Sequence, residues 1–188
     1  MAVELQFGPV WTVEQYLEME SQSPIKHEYH GGYVYAMSGG TQAHSLIALN
    51  IASLLRSATR GGSCRVFNAD VKVRQSAEHY VYPDVVVTCD ARDYAPSRVW
   101  VEYPILVAEV LSKSTERHDR GDKFAGYKRI STMREYVQVG YKRREVEVRR
   151  RIDAEDWTVS SYGPGGEVTL ESVSLTLSLD QIYEDSDL

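Results

Sequence analysis

The sequence predicts one α/β (α+β) domain, a mixed β-sheet flanked by helices with an antiparallel meander added at the C-terminus. Three observations predict it. Two runs of strand length, residues 81–88 and 105–111, carry apolar residues on both faces, as strands covered on two sides do. Residues 43–58 place Leu46, Ile47, Ile51, Leu54 and Leu55 at helical spacing. The order of patterns is helix, three strands, helix, strand, with a helix and strand in front and alternating runs behind, which is the order of one sheet with helices packed on it.

At 188 residues the chain has the length of a single domain whose core needs no disulfide staples. The expected division is a core over about 41–139, an N-terminal helix and strand over 11–38, and C-terminal strands over about 144–177. Thr12 is placed to cap a helix over 13–20 that carries Tyr16 and Leu17 on one face, since its hydroxyl oxygen accepts from the free N–H groups of a first turn. Pro24 ends that helix, and Gly31-Gly32 turns the chain into a strand over 33–38, with His27 and Glu28 just ahead of the turn. Thr41 caps the long helix over 43–58, and Gly61-Gly62 closes it. Residues 64–74 alternate Val66, Asn68, Asp70 and Lys72 against Phe67, Ala69, Val71 and Val73, which predicts one strand. The two apolar strands follow, joined by a polar connection holding Pro96. From Glu116 the pattern is helical, with Phe124, Tyr127 and Ile130 on adjoining turns and Gly121 and Gly126 weakening the propensity. Residues 135–139 form a short strand, and 145–152, 157–162 and 168–170 form the meander.

Composition narrows the function. The start of the chain has no basic region followed by an apolar one, and no apolar run reaches the length of a membrane span. Cys64 and Cys89 lie in strand-like runs without metal-ligand spacing and read as reduced core residues of a cytoplasmic protein. The net charge of −6 argues against general affinity for nucleic acid, because phosphate binding rests on Lys and Arg. Residues 113–151 nevertheless hold many of the basic side chains.

Each of the two apolar strands is interrupted by one carboxylate, Asp84 in the first and Glu109 in the second. An unpaired buried ion costs several kcal/mol. A single such acid is explained by a strand end or a nearby arginine. Two on neighbouring strands point to a shared cation, and hard oxygen donors suit Mg2+ or Mn2+. Asp70, on the polar side of its strand, is a further candidate, with Lys72 or an arginine as the alternative partner. His27 and His30 have ligand spacing only on a helix, which Pro24 and Gly31 oppose.

Pro83-Asp84 on one strand and Glu109 on the next resemble the PD-(D/E)xK nuclease superfamily, a restriction-endonuclease-like fold. Glu28 before a glycine turn, His44 after it, YPDVVV, AEVLSKST, DRGDKFAGY and EYVQV are more closely similar to the Uma-two family of restriction-endonuclease-like proteins, over roughly residues 11–150. The resemblance implies a metal-dependent phosphodiesterase. In it Asp84 and Glu109 hold Mg2+ or Mn2+, the Val110 carbonyl and Glu28 add contacts, and a lysine polarises water or the scissile phosphate. The superfamily lysine belongs two residues after Glu109, where this chain has Leu111. Lys113 and Lys123 are the replacements; Lys123 lies in the helix where the family usually carries a lysine and is preferred because its ammonium shifts pKa readily when partly buried, while Asp119, four residues before it, is the partner of a merely structural pairing. His44 and Tyr127 are secondary candidates. The expected activity is that of a homodimeric DNA endonuclease. The alternative is a non-catalytic module of the same fold that binds nucleic acid or a protein partner.

Overall fold

The computed structural model describes residues 10–112 and 119–188. Helix α1 (Val13–Gln22) starts at Thr12, whose side chain and that of Gln15 cap each other's backbone N–H groups, a reciprocal box that satisfies two of the free donors of a helix start. Strands β1 (His27–His30) and β2 (Tyr33–Ala36) form a hairpin through Gly31 and Gly32, both at positive φ. The strand β1 was not anticipated from the sequence. Helix α2 (Gln42–Ala58) is capped by Thr41 as expected.

The expected strand over 64–74 is two strands, β3 (Arg65–Asn68) and β4 (Lys72–Ser76). Asn68 breaks it: its side chain accepts from the Asp70 N–H at 3.2 Å, and its carbonyl accepts from the Val71 N–H at 3.3 Å, the local turn that asparagine favours. The run over 81–88 also divides, into β5 (His79–Val81) and β6 (Val85–Thr88). Pro83, which has no N–H to give a ladder, lies in the gap, so Asp84 stands at the head of β6 and not within it. Strands β7 (Trp100–Val101) and β8 (Pro104–Val110) follow. A π-helical turn over Asp119–Lys123 leads into helix α3 (Phe124–Lys128). Then come β9 (Glu135–Val139), β10 (Val146–Arg151), β11 (Trp157–Tyr162), β12 (Glu167–Leu170), β13 (Leu175–Ser178) and the short helix α4 (Leu179–Ile182).

These strands make a mixed α+β fold with more than the one sheet expected. Its sheets run β2-β1-β5-β4-β7 and β11-β10-β9-β8-β6-β3, with β12-β13 as a separate hairpin. The breaks at Asn68 and Pro83 are what pass the chain from one sheet to the other. The meander is therefore divided too, β10 and β11 extending the six-stranded sheet while β12 and β13 pack beneath it.

Both faces of the six-stranded sheet are covered. On one, Val85, Val87, Leu106 and Ala108 meet Ile47, Ile51 and Leu55 of α2, with the hairpin and α4 behind. On the other, Val86, Val107 and Tyr136 meet Tyr127 of α3 and Val73 and Val81 of the five-stranded sheet. This second core lies between the two sheets and carries the polar residues described below. A third cluster, Tyr16, Tyr29 and Tyr80, seats α1 on the outer face of the five-stranded sheet.

Cys64 and Cys89 form a disulfide, which corrects the expectation of two reduced thiols. The antiparallel register of β3 and β6 pairs Arg65 with Thr88, so the next residues outward, Cys64 and Cys89, face each other across the end of the ladder. Among the described residues, no helix is long and apolar enough to cross a membrane.

Candidate active site

Strand register brings the two carboxylates together. In the antiparallel pair β6–β8, Val85 is opposite Ala108, which sets Asp84 level with Glu109. Val85 and Ala108 point into the α2 core, and Val86 and Val107 into the second core. Alternation therefore turns Asp84 and Glu109 toward the second core, as cross-strand neighbours on one face. Asp84 Oδ2 accepts from the Val110 N–H at 2.7 Å and lies 3.4 Å from His44 Nε2. Thr41 starts α2 one turn earlier, and that start places His44 at the site.

Lys123 reaches the same place from the π-helical turn before α3. Its Nζ is 3.1 Å from Glu28 Oε1, 3.4 Å from Glu109 Oε1 and 3.4 Å from Asp119 Oδ1. The Asp119 pairing expected of a structural lysine is present, but the two further carboxylates make Lys123 the hub of a cluster. Leu111, at the position where the superfamily has its strand lysine, is buried, and its N–H bonds to the Val139 carbonyl. The Tyr127 hydroxyl donates to Glu109 Oε1 at 3.4 Å, and the Tyr136 hydroxyl to the Asp119 carbonyl at 2.8 Å. Glu28, on β1, accepts from the Tyr82 N–H at 3.0 Å, so the residue preceding Pro83 is tied to the site as well. Behind it, the Tyr82 hydroxyl donates to Glu20 at 2.7 Å, and Lys72 donates to that hydroxyl at 3.1 Å.

Three carboxylates, Glu28, Glu109 and Asp119, thus surround one ammonium, and Asp84 stands across from Glu109. Burial raises the Glu109 carboxyl well above its usual range, and Asp119, Asp84 and Glu28 add to this against the pull of Lys123. Asp84 is raised as well, by burial, with His44, the Val110 N–H and Lys123 opposing. Burial alone would lower Lys123 and raise Glu28. Glu109, Glu28 and Asp119 instead hold Lys123 well above its usual value, and Lys123, His30 and the Tyr82 N–H bring Glu28 from 4.5 to about 2.

The stability consequences of Glu28 and Glu109 have opposite signs. Glu28, depressed on folding, contributes stability that is complete above pH 4.5 and is lost as pH falls toward about 2. Glu109, raised on folding, contributes most below its usual value and loses that contribution as pH rises. Glu109→Gln is therefore expected to raise the melting temperature of the metal-free protein at neutral pH, on the scale of about 2–4 °C per kcal/mol recovered, while the acid limb set by Glu28 remains. Thermal melts of both proteins from acid to neutral pH in chelator check this.

The donor set fits a hard divalent cation. Among the described residues, every contact of the two strand acids falls on one oxygen, Oδ2 of Asp84 and Oε1 of Glu109, so Oδ1 and Oε2 remain as donors. The surplus of carboxylates over ammonium is the imbalance such an ion offsets. Among the described residues, no three His, Cys, Asp or Glu side chains form a ready metal cage.

Of the sequence candidates, Asp84, Glu109, Glu28, Lys123, His44 and Tyr127 converge, and Val110 contributes its N–H to Asp84. Asp70 does not join them: it sits in the turn after β3 with its side chain 67% exposed, and its partner is Lys26, not Lys72 or an arginine. Lys113 lies outside the described residues. Sequence reasoning missed Tyr82, whose role depends on a long-range bond, and Gln138, a polar residue in the fully buried strand β9. The alternation of EYVQV was the available signal for Gln138, since it places that residue on the face of Tyr136.

Comparison with known proteins agrees with the fold. The family model Uma2, described as "Putative restriction endonuclease", matches residues 13–181. An uncharacterized protein of Synechocystis sp., slr1290, is 38% identical over 176 residues, covering 93% of this chain and 92% of its own. A second from the same organism, sll1609, is 28% identical over 153 residues, covering 80% of this chain and 86% of its own. The crystal structure of a protein from Anabaena variabilis, described as a "putative nuclease belonging to DUF820", superposes with a TM-score of 0.75 at 17% identity, covering 92% of this chain and 97% of that one. With a family model matched along nearly its whole length and a relative of more than one-third identity, this chain belongs to the Uma2 family of restriction-endonuclease-like proteins.

Proposed function

We propose that the protein is a magnesium- or manganese-dependent endonuclease that hydrolyses phosphodiester bonds of DNA. The observation that carries this reading is the cross-strand pair Asp84 and Glu109, joined on the same face by Lys123 at 3.4 Å from Glu109. Asp84 Oδ1 and Glu109 Oε2 are the oxygens that would hold the cation. When bound, such an ion supplies charge neutralisation at the phosphate and a lower pKa for its water.

The protein's own residues do the rest. His44 and the Val110 N–H orient Asp84, and Tyr127 orients Glu109. Lys123 stays protonated, because the carboxylates around it more than offset its burial. Its role is that of a fixed positive charge facing a phosphate oxygen, and proton abstraction falls to another group. A cation already anchored by Glu28 and Asp119 needs little reorganisation when negative charge develops, which is how preorganised electrostatics lowers a barrier. We further propose a homodimer, since two-fold symmetry is the simplest way for one site per chain to cut both strands.

Incubation of supercoiled plasmid with the purified protein tests the activity. Nicked and linear products are expected with Mg2+ or Mn2+ and none with chelator; a plasmid left intact under all metal conditions contradicts the proposal. Leu111 at the usual lysine position favours a second reading, a nuclease-fold module that binds nucleic acid or a protein without cutting. It predicts binding without cleavage in the same assay.

A further inference from the structure

We propose that Gln138 is a phosphate-binding residue of the carboxylate site, an inference that rests on reading that site as a phosphodiesterase. Gln138 is 1% exposed, yet neither its Nε2 nor its Oε1 has a hydrogen-bond partner. Buried amides are nearly always satisfied, so an orphaned one calls for a cause.

Its position supplies the cause. In the parallel pair β8–β9, Gln138 is in register with Glu109. Val137 and Val139 point into the α2 core, whereas Tyr136 packs against Phe124 and Tyr127 on the opposite face. Alternation sets Gln138 on that opposite face, beside Glu109 and one residue pair beyond Tyr136.

A phosphodiester there needs donors, and four of the donors around Glu109 are engaged. Lys123 serves three carboxylates; the Tyr127 hydroxyl goes to Glu109, the Tyr136 hydroxyl to the Asp119 carbonyl, and Gln75 Nε2 to the Lys123 carbonyl. Among these, the Gln138 carboxamide is the neutral donor left over. Neutrality matters beside so many carboxylates: an amide N–H binds a phosphate oxygen without forming an ion pair with Glu109 first. Glu109 and Lys123 are buried almost as deeply as Gln138.

The test compares wild type with Gln138→Met, which keeps the shape and removes the amide, and with Gln138→Leu, which removes the amide in a shorter side chain. Thymidine 5′-monophosphate is titrated calorimetrically in saturating Mn2+, and melting temperatures are recorded in chelator. Both variants are expected to bind the nucleotide roughly 10- to 100-fold more weakly, the scale of losing a hydrogen bond to a charged group. Gln138→Met is expected to keep its Mn2+ affinity and to melt at or above the wild-type temperature, because it removes a buried unsatisfied amide. Equal nucleotide binding by wild type and Gln138→Met overturns the proposal, as does a lower melting temperature, which makes Gln138 structural. A wild type that binds no nucleotide overturns it as well. A wild type that binds the nucleotide through Gln138 but cuts no DNA leaves this proposal standing and removes the nuclease reading.

Discussion

Lys123→Met is expected to leave the metal-free protein about 3–5 kcal/mol less stable at neutral pH, the cost of stranding buried ions by removing their partner. Lys123 is the shared counter-ion of Glu28, Glu109 and Asp119, at 3.1, 3.4 and 3.4 Å. Methionine fills similar space and offsets none of that charge. Glu109 answers by holding its proton over a wider pH range, but Glu28, which relies on Lys123 for its low pKa, loses its main support. Because a divalent cation would replace the missing positive charge, Mn2+ is expected to restore part of the lost stability, and to do so more strongly than it stabilises wild type. Cleavage falls by about 10²–10³-fold, the scale of removing one preorganised charge-stabilising group. Urea unfolding with chelator and with Mn2+, together with single-turnover cleavage, measures these effects. A Lys123→Met protein as stable as wild type in chelator would show that the cluster is not held by this ammonium.

Asp84→Asn is expected to lower cleavage by at least about 10²-fold while leaving the fold intact. The reason lies in its backbone partner: the Val110 N–H reaches Asp84 Oδ2 at 2.7 Å, and an asparagine oxygen accepts that bond as well. What the substitution removes is one of two anionic donors and one of the charges that raise Glu109, so chelator-treated protein should be no less stable than wild type. Circular dichroism and thermal melts, run beside the cleavage assay, separate the two effects. If Asp84→Asn unfolds the protein, the acid is a structural link between Val110 and His44.

The pair Asp84 and Glu109 was readable from residue type and alternation, whereas Glu28, His44, Lys123 and Tyr127 came from the family resemblance. Acids in doubly apolar strands are rare enough to point to a cluster, and the face assignments of Val85, Val86 and Val87 follow from the two-residue period alone. The helix starts at Thr12 and Thr41 were readable because capping is local chemistry. Less readable were the interruptions at Asn68 and Pro83. A strand pattern continues across each, and only the turn chemistry of one residue shows that the chain changes sheets there. Reading through Asn68 made Asp70 a strand residue near Asp84, whereas the turn sends it out to Lys26. Glu28 was harder still, since its partners Lys123 and Tyr82 lie far along the chain. The disulfide was missed because the pairing of Cys64 with Cys89 depends on strand register, which composition does not reveal.

The most direct test of the account is a calorimetric titration with Mn2+ of wild type and of the double variant Asp84→Asn, Glu109→Gln. Saturable binding by wild type and its loss in the folded double variant is the result predicted for a cation held by these two carboxylates. Equal binding by both proteins, or none by wild type even with a DNA duplex present to complete the site, would contradict it and favour the non-cutting module.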